Sequence, residues 1–339
     1  MARSFHCSCE KYGRYGHGLS LRGAIFRRVC GFRECTAIAT FVMASSMGRA
    51  FRQAVRQHAP LQIIGCTTAY TGMLAQRAGA KALYVSGSGV ATASHGLPDL
   101  GITNLNDVVE DVRRLSSCTT LPILVDVDTG FGSAFGIART VNELERAGAA
   151  AIHIEDQEAN KRCGHRPNKT IVDVDEMCDR IRAAVDARSD PDFVIMARTD
   201  ALANEGLDGA VKRAQAYIDA GADMLFPEAF TKLEQYAVLQ KHFPDTPYLA
   251  NITEFGATPL FSTKDLGNVG VSMVLYPLSI HRAQASAAIK VAESIINQGH
   301  QKNVVDMMQT RDELYEALDY RRYEDYIDSL SARRKPSEK

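Results

Sequence analysis

The chain has 339 residues, of which 45% are hydrophobic and 23% charged, and its formal net charge is -1. This is the composition of a globular protein, and the near-neutral charge gives no reason to expect nucleic acid or an anionic membrane surface as a partner. No run of about 18 apolar residues is present, so we expect no transmembrane helix.

The first 42 residues differ in character from the rest, with seven Lys/Arg against two Glu. Their apolar run lies too far from the start for a secretory signal. We expect residues 1–42 to be a disordered extension or an over-called start, followed by one domain over residues 43–339. The alternative is a metal-binding or interaction module, although its Cys and His residues match no standard zinc spacing. These are His6, Cys7, Cys9, His17, Cys30 and Cys35.

The eight cysteines of the whole chain do not resemble a disulfide framework. We therefore predict a reducing, cytoplasmic setting for the protein.

Short apolar, β-branched runs recur along the remaining chain and predict eight strands covered on both faces. They lie at 61–68, 82–89, 122–130, 150–157, 193–200, 224–229, 248–254 and 273–277. Helical patterns separate them, and three of these end in Ala-Gly-Ala before a strand, at 78–80, 147–149 and 220–222. The pattern predicts a (β/α)₈ barrel, because the rival doubly wound sheet would open its first helix with G-x-G-x-x-G.

Two further segments after the eighth strand, at 279–299 and 310–334, also have a helical pattern. One barrel does not need this much helix. We therefore expect these C-terminal helices to pack on another subunit.

Acidic and basic residues follow nearly every predicted strand, where barrel enzymes place their active sites. Asp126 and Asp128 are two apart on one strand, so both side chains should face the same point. Two such carboxylates without His or Cys favour Mg²⁺ or Mn²⁺. Glu155 and Glu228 could join this metal site directly or through water. The alternative is that the two aspartates cap helices or pair with arginines.

A cysteine within "KRCGHRPNKT" (161–170) is surrounded in sequence by Lys161, Arg162, His165 and Arg166. Nearby cations lower the pKa of a thiol, so Cys163 is predicted to be a tuned acid or base rather than an inert buried residue. Together with a divalent metal and arginines for carboxylates, it predicts a lyase acting on a small polycarboxylate, in which the metal and arginine stabilise an enolate.

Eight motifs, in chain order, resemble the 2-methylisocitrate lyase family of the isocitrate lyase/PEP mutase superfamily. They are "SGSGVATASHGLPDLG", "LVDVDTGFG", "HIEDQ", "KRCGHRPNK", "IMARTDAL", "FPEA", "LANITEFGATPL" and "LYPLS". The resemblance runs from about residue 47 to about residue 330. It implies a (β/α)₈ barrel with Mg²⁺, a last helix swapped within a homotetramer, and cleavage of 2-methylisocitrate to pyruvate and succinate in the methylcitrate cycle of propionate breakdown.

The resemblance also implies roles for single residues. Asp126 and Asp128 would hold the metal, to which Glu155 was added above from its place at a strand end. Cys163 would protonate the succinate carbanion beside His165, and Tyr84 would take the hydroxyl proton. The substrate would contact Ser86, Gly87, Ser88, Asp99, Cys163, Gly164, Arg198, Glu228, Asn251, Ile252, Thr253, Arg282 and Arg311.

One position departs from the family pattern and bears on substrate choice. Relatives usually carry Gly or Ala where this chain has Ser88, and isocitrate lyases carry tryptophan, which this chain lacks. Ser88 leaves space for the extra methyl group of 2-methylisocitrate, which Phe226 and Leu275 could line. The alternatives are an isocitrate lyase that yields glyoxylate, and a carboxylate-binding barrel without catalysis.

Overall fold

The computed structural model describes residues 46–166 and 168–333, so the predicted extension at residues 1–42 lies outside the described part of the chain. The described residues form eight parallel strands, as the sequence predicts. They are β1 (Leu61–Gly65), β2 (Ala82–Val85), β3 (Ile123–Asp126), β4 (Ala151–Glu155), β5 (Val194–Thr199), β6 (Met224–Pro227), β7 (Leu249–Asn251) and β8 (Met273–Tyr276).

Seven strand pairings give the order β6-β5-β4-β3-β2-β1-β8-β7. The outer strands β6 and β7 meet through a parallel bridge between Leu225 and Tyr248, where Leu225 N–H donates to Pro247 O over 3.0 Å. This bridge brings the two edges together, so the sheet forms a nearly closed (β/α)₈ barrel and the predicted fold is confirmed. Each strand is shorter than its apolar run, because the last residues of the run turn into the loop above the barrel.

The helices surround this barrel. They are α1 (Met47–Gln57), α2 (Ala69–Arg77), α3 (Gly87–Gly89), α4 (Leu105–Ser116), α5 (Ala134–Ala147), α6 (Val174–Ala187), α7 (Leu202–Asp219), α8 (Leu233–His242), α9 (Thr263–Asn268), α10 (Ser279–Gln298), α11 (Arg311–Ala317) and α12 (Tyr320–Ala332). A π-helix at Val90–Ser94 and a 3₁₀ helix at Lys302–Met307 complete the described elements.

The first helix, α1, closes the N-terminal end of the barrel. Phe51 and Val55 are buried in the same apolar cluster as residues from all eight strands. Arg49 and Arg52 pair with Asp192 (2.8 Å) and Asp223 (2.7 Å), which precede β5 and β6. Apolar burial and charge pairing therefore fix α1 across the floor of the barrel.

The C-terminal segments are helical, as predicted, and the second is split into α11 and α12 at Asp319, whose φ of 52° is left-handed. They expose large apolar side chains, including Ile289, Ile296 and Ile327, of which 61%, 81% and 61% are accessible. Within the described residues, no helix is long and apolar enough to cross a membrane.

Candidate active site

Alternate side chains along each strand point into the barrel and form an apolar layer at one end and a charged layer at the other. Residues two apart on a strand share a face. On β5, Val194 and Met196 lie in the central apolar cluster and are followed by Arg198, and on β3, Leu124 is followed by Asp126. The interior is therefore apolar near α1 and charged at the C-terminal ends of the strands.

A cavity of about 410 Å³ opens at this charged end and collects most of the predicted site residues. They are Tyr84, Ser86, Ser88, Asp99, Asp126, Cys163, Gly164, His165, Arg198, Glu228, Asn251, Thr253 and Arg282. Gly87 adjoins the cavity, because its N–H donates to Asp126 Oδ2 over 3.0 Å.

Some predicted residues do not line this cavity. Asp128 and Glu155 are buried at its base. Ile252 packs in the apolar layer between sheet and helices, because it alternates in direction with Asn251 and Thr253. Arg311 is exposed at the start of α11, a helix that packs near α2. A substrate contact by Arg311 is therefore not made by the cavity of a single chain.

Leu275, predicted beside the methyl group, is buried in the barrel interior and does not line the cavity. Pro277 and Leu278 stand at the cavity wall instead, with Phe226. The predicted lining by Leu275 is not seen, because β8 ends at Tyr276 and the residues that follow the strand form this part of the wall.

The two aspartates at the end of β3 differ in pKa. Asp126 accepts from Gly87 N–H, from Asp128 N–H (3.1 Å) and from Tyr84 Oη (3.3 Å). Burial raises its pKa, but His153, Lys161 and Arg198 outweigh this and hold it at about 2. The pKa of Asp128 is raised, first by burial and then by the charge of Asp126. A cation beside the pair relieves this repulsion.

Lys161 supplies one such cation. Its ammonium lies 2.6 Å from Asp128 Oδ1 and 2.6 Å from Asp99 Oδ1, and its side chain is buried. Burial lowers the pKa of Lys161, but the charges of Asp128, Glu155 and Asp126 together raise it by more. The ammonium therefore stays charged. Lys161 thus links the Cys163 loop to the acids at the base of the cavity.

The donor set fits a magnesium ion held by few protein ligands. Asp126, Asp128 and Glu155 offer hard carboxylate oxygens, and a Cβ on Gly87 would lie 3.1–3.2 Å from the two aspartates. Among the described residues, Glu155 Oε1 is buried without a hydrogen-bond partner. The described part of the chain contains no group of three or more His, Cys, Asp or Glu side chains placed to hold a metal ion. Mg²⁺ suits such a site, because it keeps several waters and binds one or two carboxylates.

Arg198 places a fixed positive charge in the cavity. Its guanidinium contacts Glu155 (3.2 Å) and Asp200 (2.9 Å) and lies over the ring of Phe226. Burial lowers the pKa of Arg198, but Asp200, Glu155 and Glu228 raise it well above its usual value. These contacts hold the guanidinium in one orientation, suited to binding a substrate carboxylate.

His165 is held in one neutral tautomer. Ala257 N–H donates to its Nδ1 over 3.0 Å, so the ring proton is on Nε2. That Nε2 lies 3.2 Å from Glu228 Oε1 and donates to it. Asn251 Nδ2 also donates to Glu228, over 3.4 Å. His165 therefore joins the loop after β7 to the buried carboxylate of Glu228, just after β6.

Cys163 is an exposed residue that lines the cavity, but its predicted low pKa is wrong. Surrounding protein atoms raise the pKa of the thiol most strongly. A hydrogen bond from the His165 backbone lowers it, Asp99 and Glu228 raise it, and Arg198 lowers it slightly, with a net shift upwards. Lys161, the cation expected to lower it, is turned towards Asp99 and Asp128. The thiol is therefore protonated at neutral pH, which suits a proton donor and not a base.

Tyr84 lines the cavity and is itself buried, with its hydroxyl 2.9 Å from His153 Nε2. Burial and the charge of Asp126 raise the pKa of Tyr84 well above its usual value. The phenol therefore stays protonated and donates a hydrogen bond. This argues against Tyr84 as the base predicted from the sequence.

The sequence analysis did not predict the buried polar residues His153, Lys161, Lys169 and Asp200 as site residues. His153 could have been found, because it is two residues before Glu155 on β4 and shares its face. Lys161 is part of the cysteine motif, but nothing in its neighbours indicates that it turns inward. Lys169 and Asp200 meet only through the tertiary fold.

Fold and site together define a barrel enzyme whose cavity combines acid, guanidinium and thiol. The family model described as phosphoenolpyruvate phosphomutase matches residues 51–296. The 2-methylisocitrate lyase of Salmonella typhimurium is 59% identical over 294 residues, which cover 86% of this chain and 98% of that protein. The chain therefore belongs to the 2-methylisocitrate lyase family within the PEP mutase/isocitrate lyase superfamily, and the predicted class, a carbon–carbon lyase, is confirmed.

Solved structures of other members share the fold. A 2,3-dimethylmalate lyase matches with a TM-score of 0.77 and 34% identity, covering 84% of this chain and 95% of its own. A phosphonopyruvate hydrolase in complex with oxalate and Mg²⁺ matches with a TM-score of 0.72 and 28% identity, covering 85% and 99%. The superfamily therefore includes members that bind Mg²⁺ at this fold.

Proposed function

We propose that this protein cleaves 2-methylisocitrate to pyruvate and succinate with Mg²⁺, as the lytic step of the methylcitrate cycle in propionate breakdown. The observation that carries the proposal is the convergence of a protonated thiol, a fixed guanidinium and an ionised aspartate on one cavity of about 410 Å³. The 59% identity to a 2-methylisocitrate lyase supports this choice of substrate.

The carboxylates of the substrate are the first groups to be placed. Arg198 is fixed by Glu155 and Asp200 and would pair with one of them. Arg282 lies at the cavity wall and contacts Glu254 at 3.6 Å, so it is available to a second. We place the pyruvate half at the loop of Ser86, Gly87 and Ser88, beside Asp126.

The bond that breaks joins the carbinol carbon to the α-carbon of the succinate half. As the hydroxyl group passes its proton to water in the open cavity, the carbinol becomes the ketone of pyruvate, and the electron pair of the C–C bond passes to the succinate carbon. The Cys163 S–H donates its proton to that carbon. His165 holds the thiol loop against Glu228, which Gly164 approaches closely, and Tyr84 donates a hydrogen bond at the bottom of the cavity.

Asp126, Asp128 and Glu155 are the residues that would hold Mg²⁺, which would supply positive charge to stabilise the negative charge developing on the substrate oxygens. Mn²⁺ prefers the same oxygen ligands and should substitute for it.

The test is a coupled assay of pyruvate formation from 2-methylisocitrate, compared with glyoxylate formation from isocitrate. One methyl group in an apolar pocket changes kcat/KM by roughly 10- to 200-fold, so isocitrate should be a weak substrate. Ser88→Trp should reduce this preference, mainly by impairing the methylated substrate. Equal efficiency on both substrates would contradict the assignment while leaving the lyase class intact.

We also propose a cytoplasmic homotetramer in which the C-terminal helices pack on a partner subunit. The exposed Ile289, Ile296 and Ile327 support it, because a lone chain rarely leaves so many large apolar groups in water. Light scattering should then give four times the chain mass of 37.1 kDa. A monomer at micromolar concentration would contradict this.

A further inference from the structure

The loop that carries Cys163 spans residues 158–170 and is closed at its base. Gln157 and Ile171 pair as an antiparallel bridge where the loop leaves β4 and returns. Glu158 N–H donates to Thr170 O over 3.1 Å, next to this bridge. The two ends are thus fixed, but they alone would leave the cysteine, near the middle of the loop, free to move.

Lys169 fixes the loop on the C-terminal side of the cysteine. Its ammonium donates to the carbonyl of Gly164 over 2.5 Å and to Asp200 Oδ1 over 2.6 Å. Its side chain is 2% exposed, and Asp200 is fully buried. The backbone of Lys169 is held in turn, because Asn204 Nδ2 donates to its carbonyl over 3.0 Å.

Gln157 fixes the loop on the N-terminal side of the cysteine. Its side-chain amide donates to the Arg162 carbonyl over 2.9 Å and accepts from the Arg162 N–H over 2.9 Å. Gln157 is itself buried and stands at the end of β4. Both backbone groups of the residue before Cys163 are therefore bound to the barrel.

We propose that Lys169 and Gln157 are positioning residues that clamp the backbone on either side of Cys163 and thereby aim its thiol into the cavity. The inference rests on the proposed function, in which that thiol protonates the succinate carbon. Neither residue lines the cavity, so each acts through the loop it holds.

Charge pairing alone does not account for Lys169. Asp200 already accepts from Arg198 through Nε (2.9 Å) and Nη2 (3.3 Å), so its charge has a partner without the lysine. Burying an ammonium is costly unless its donors are used. The second donor goes to the Gly164 carbonyl, one residue after the thiol. Asp200 therefore binds both Lys169, which holds the thiol loop, and the guanidinium of Arg198.

The decisive variant is Lys169→Met, which keeps the length and apolar stem of the side chain but removes both bonds. The freed Gly164 carbonyl should seek water, and the loop should open. We expect Cys163 to react with iodoacetamide roughly tenfold faster, because losing such a bond is worth about one factor of ten. Trypsin should also cleave faster after the exposed Arg162. Lys241→Met, an exposed lysine on α8, is the matched control.

Peptide mapping should locate the alkylation, with the buried Cys178 as an internal control for general unfolding. We expect kcat to fall by roughly 10- to 100-fold and KM to change little, because Arg198 keeps Asp200 and Glu155. Lys169→Arg should recover part of kcat, since it restores a charged donor. Alkylation and cleavage rates equal to those of Lys241→Met would overturn the inference.

If Lys169→Met does not fold, Gln157→Met decides the question. Faster alkylation of Cys163 with an unchanged Cys178 supports the clamp, and an unchanged Cys163 rate overturns it. Because alkylation and proteolysis need no turnover, the outcome is independent of the proposed reaction. Full activity of Cys163→Ser would instead reject the role of the thiol and leave the clamp standing.

Discussion

Replacing Gly164 by alanine should disable the site without unfolding the barrel. A Cβ at this position would lie 2.2 Å from Glu228 Oε1 and 2.5 Å from Arg198 Nη2. Neither neighbour can retreat, because Glu228 is held by His165 and Asn251, and Arg198 by Asp200 and Glu155. To reach an ordinary contact of 3.4 Å, the loop must therefore move by roughly 1.2 Å and carry the adjacent Cys163 with it.

A misplacement of about 1 Å costs roughly 100-fold in rate, so we expect kcat/KM of Gly164→Ala to fall by about that factor. The melting temperature should change little, because the strain is released by a surface loop. Gly267→Ala, on α9, is the control, because its Cβ would meet only the ring of Pro60, at 3.1 Å. Pyruvate formation by both variants gives the comparison. Retention of more than half the wild-type kcat/KM by Gly164→Ala would refute the tight contact.

Three further predictions concern the metal, the thiol and the extension. Removing divalent metal with EDTA should abolish turnover and Mg²⁺ should restore it, and full activity of metal-free protein would reject the metal site. Cys163→Ser should keep the fold but lose about 10²–10⁴-fold in rate. Because the thiol pKa is raised, alkylation of Cys163 should accelerate as the pH rises towards 9 and beyond. A rate of alkylation that reaches a plateau below pH 8 would show an acidic thiol. Deleting residues 1–42 should leave activity and oligomeric state unchanged, and aggregation of the shortened chain would show that the extension is structural.

The barrel could be predicted from the sequence because its signals are local. Runs such as residues 193–197 are apolar on both faces, which is typical of a strand buried between helices and barrel interior. The glycine of each Ala-Gly-Ala repeat has a positive φ, with values of 100°, 97° and 105° at Gly79, Gly148 and Gly221. This left-handed residue ends the helix and returns the chain to the sheet.

The electrostatics of the site could not be predicted in the same way. Lys161 precedes Cys163 by two residues, and sequence distance suggests that it lowers the thiol pKa. In the fold, the ammonium turns to Asp99 and Asp128, which come from two other loops. The pKa of Cys163 then depends on the surrounding protein atoms, on the His165 backbone and on the charges of Asp99 and Glu228, which come from other parts of the fold. Such effects depend on distances between strands, which sequence spacing does not contain.

The helix α1, which closes the floor of the barrel, has a consequence for the order of events during a turnover. With Phe51 and Val55 filling that end, substrate, water and both products pass through the mouth beside Cys163. The half of the substrate proposed to lie deepest, next to Asp126, is then the last to leave. Succinate should depart first and pyruvate second, which is an ordered release of products. Pyruvate alone should then compete directly with incoming substrate.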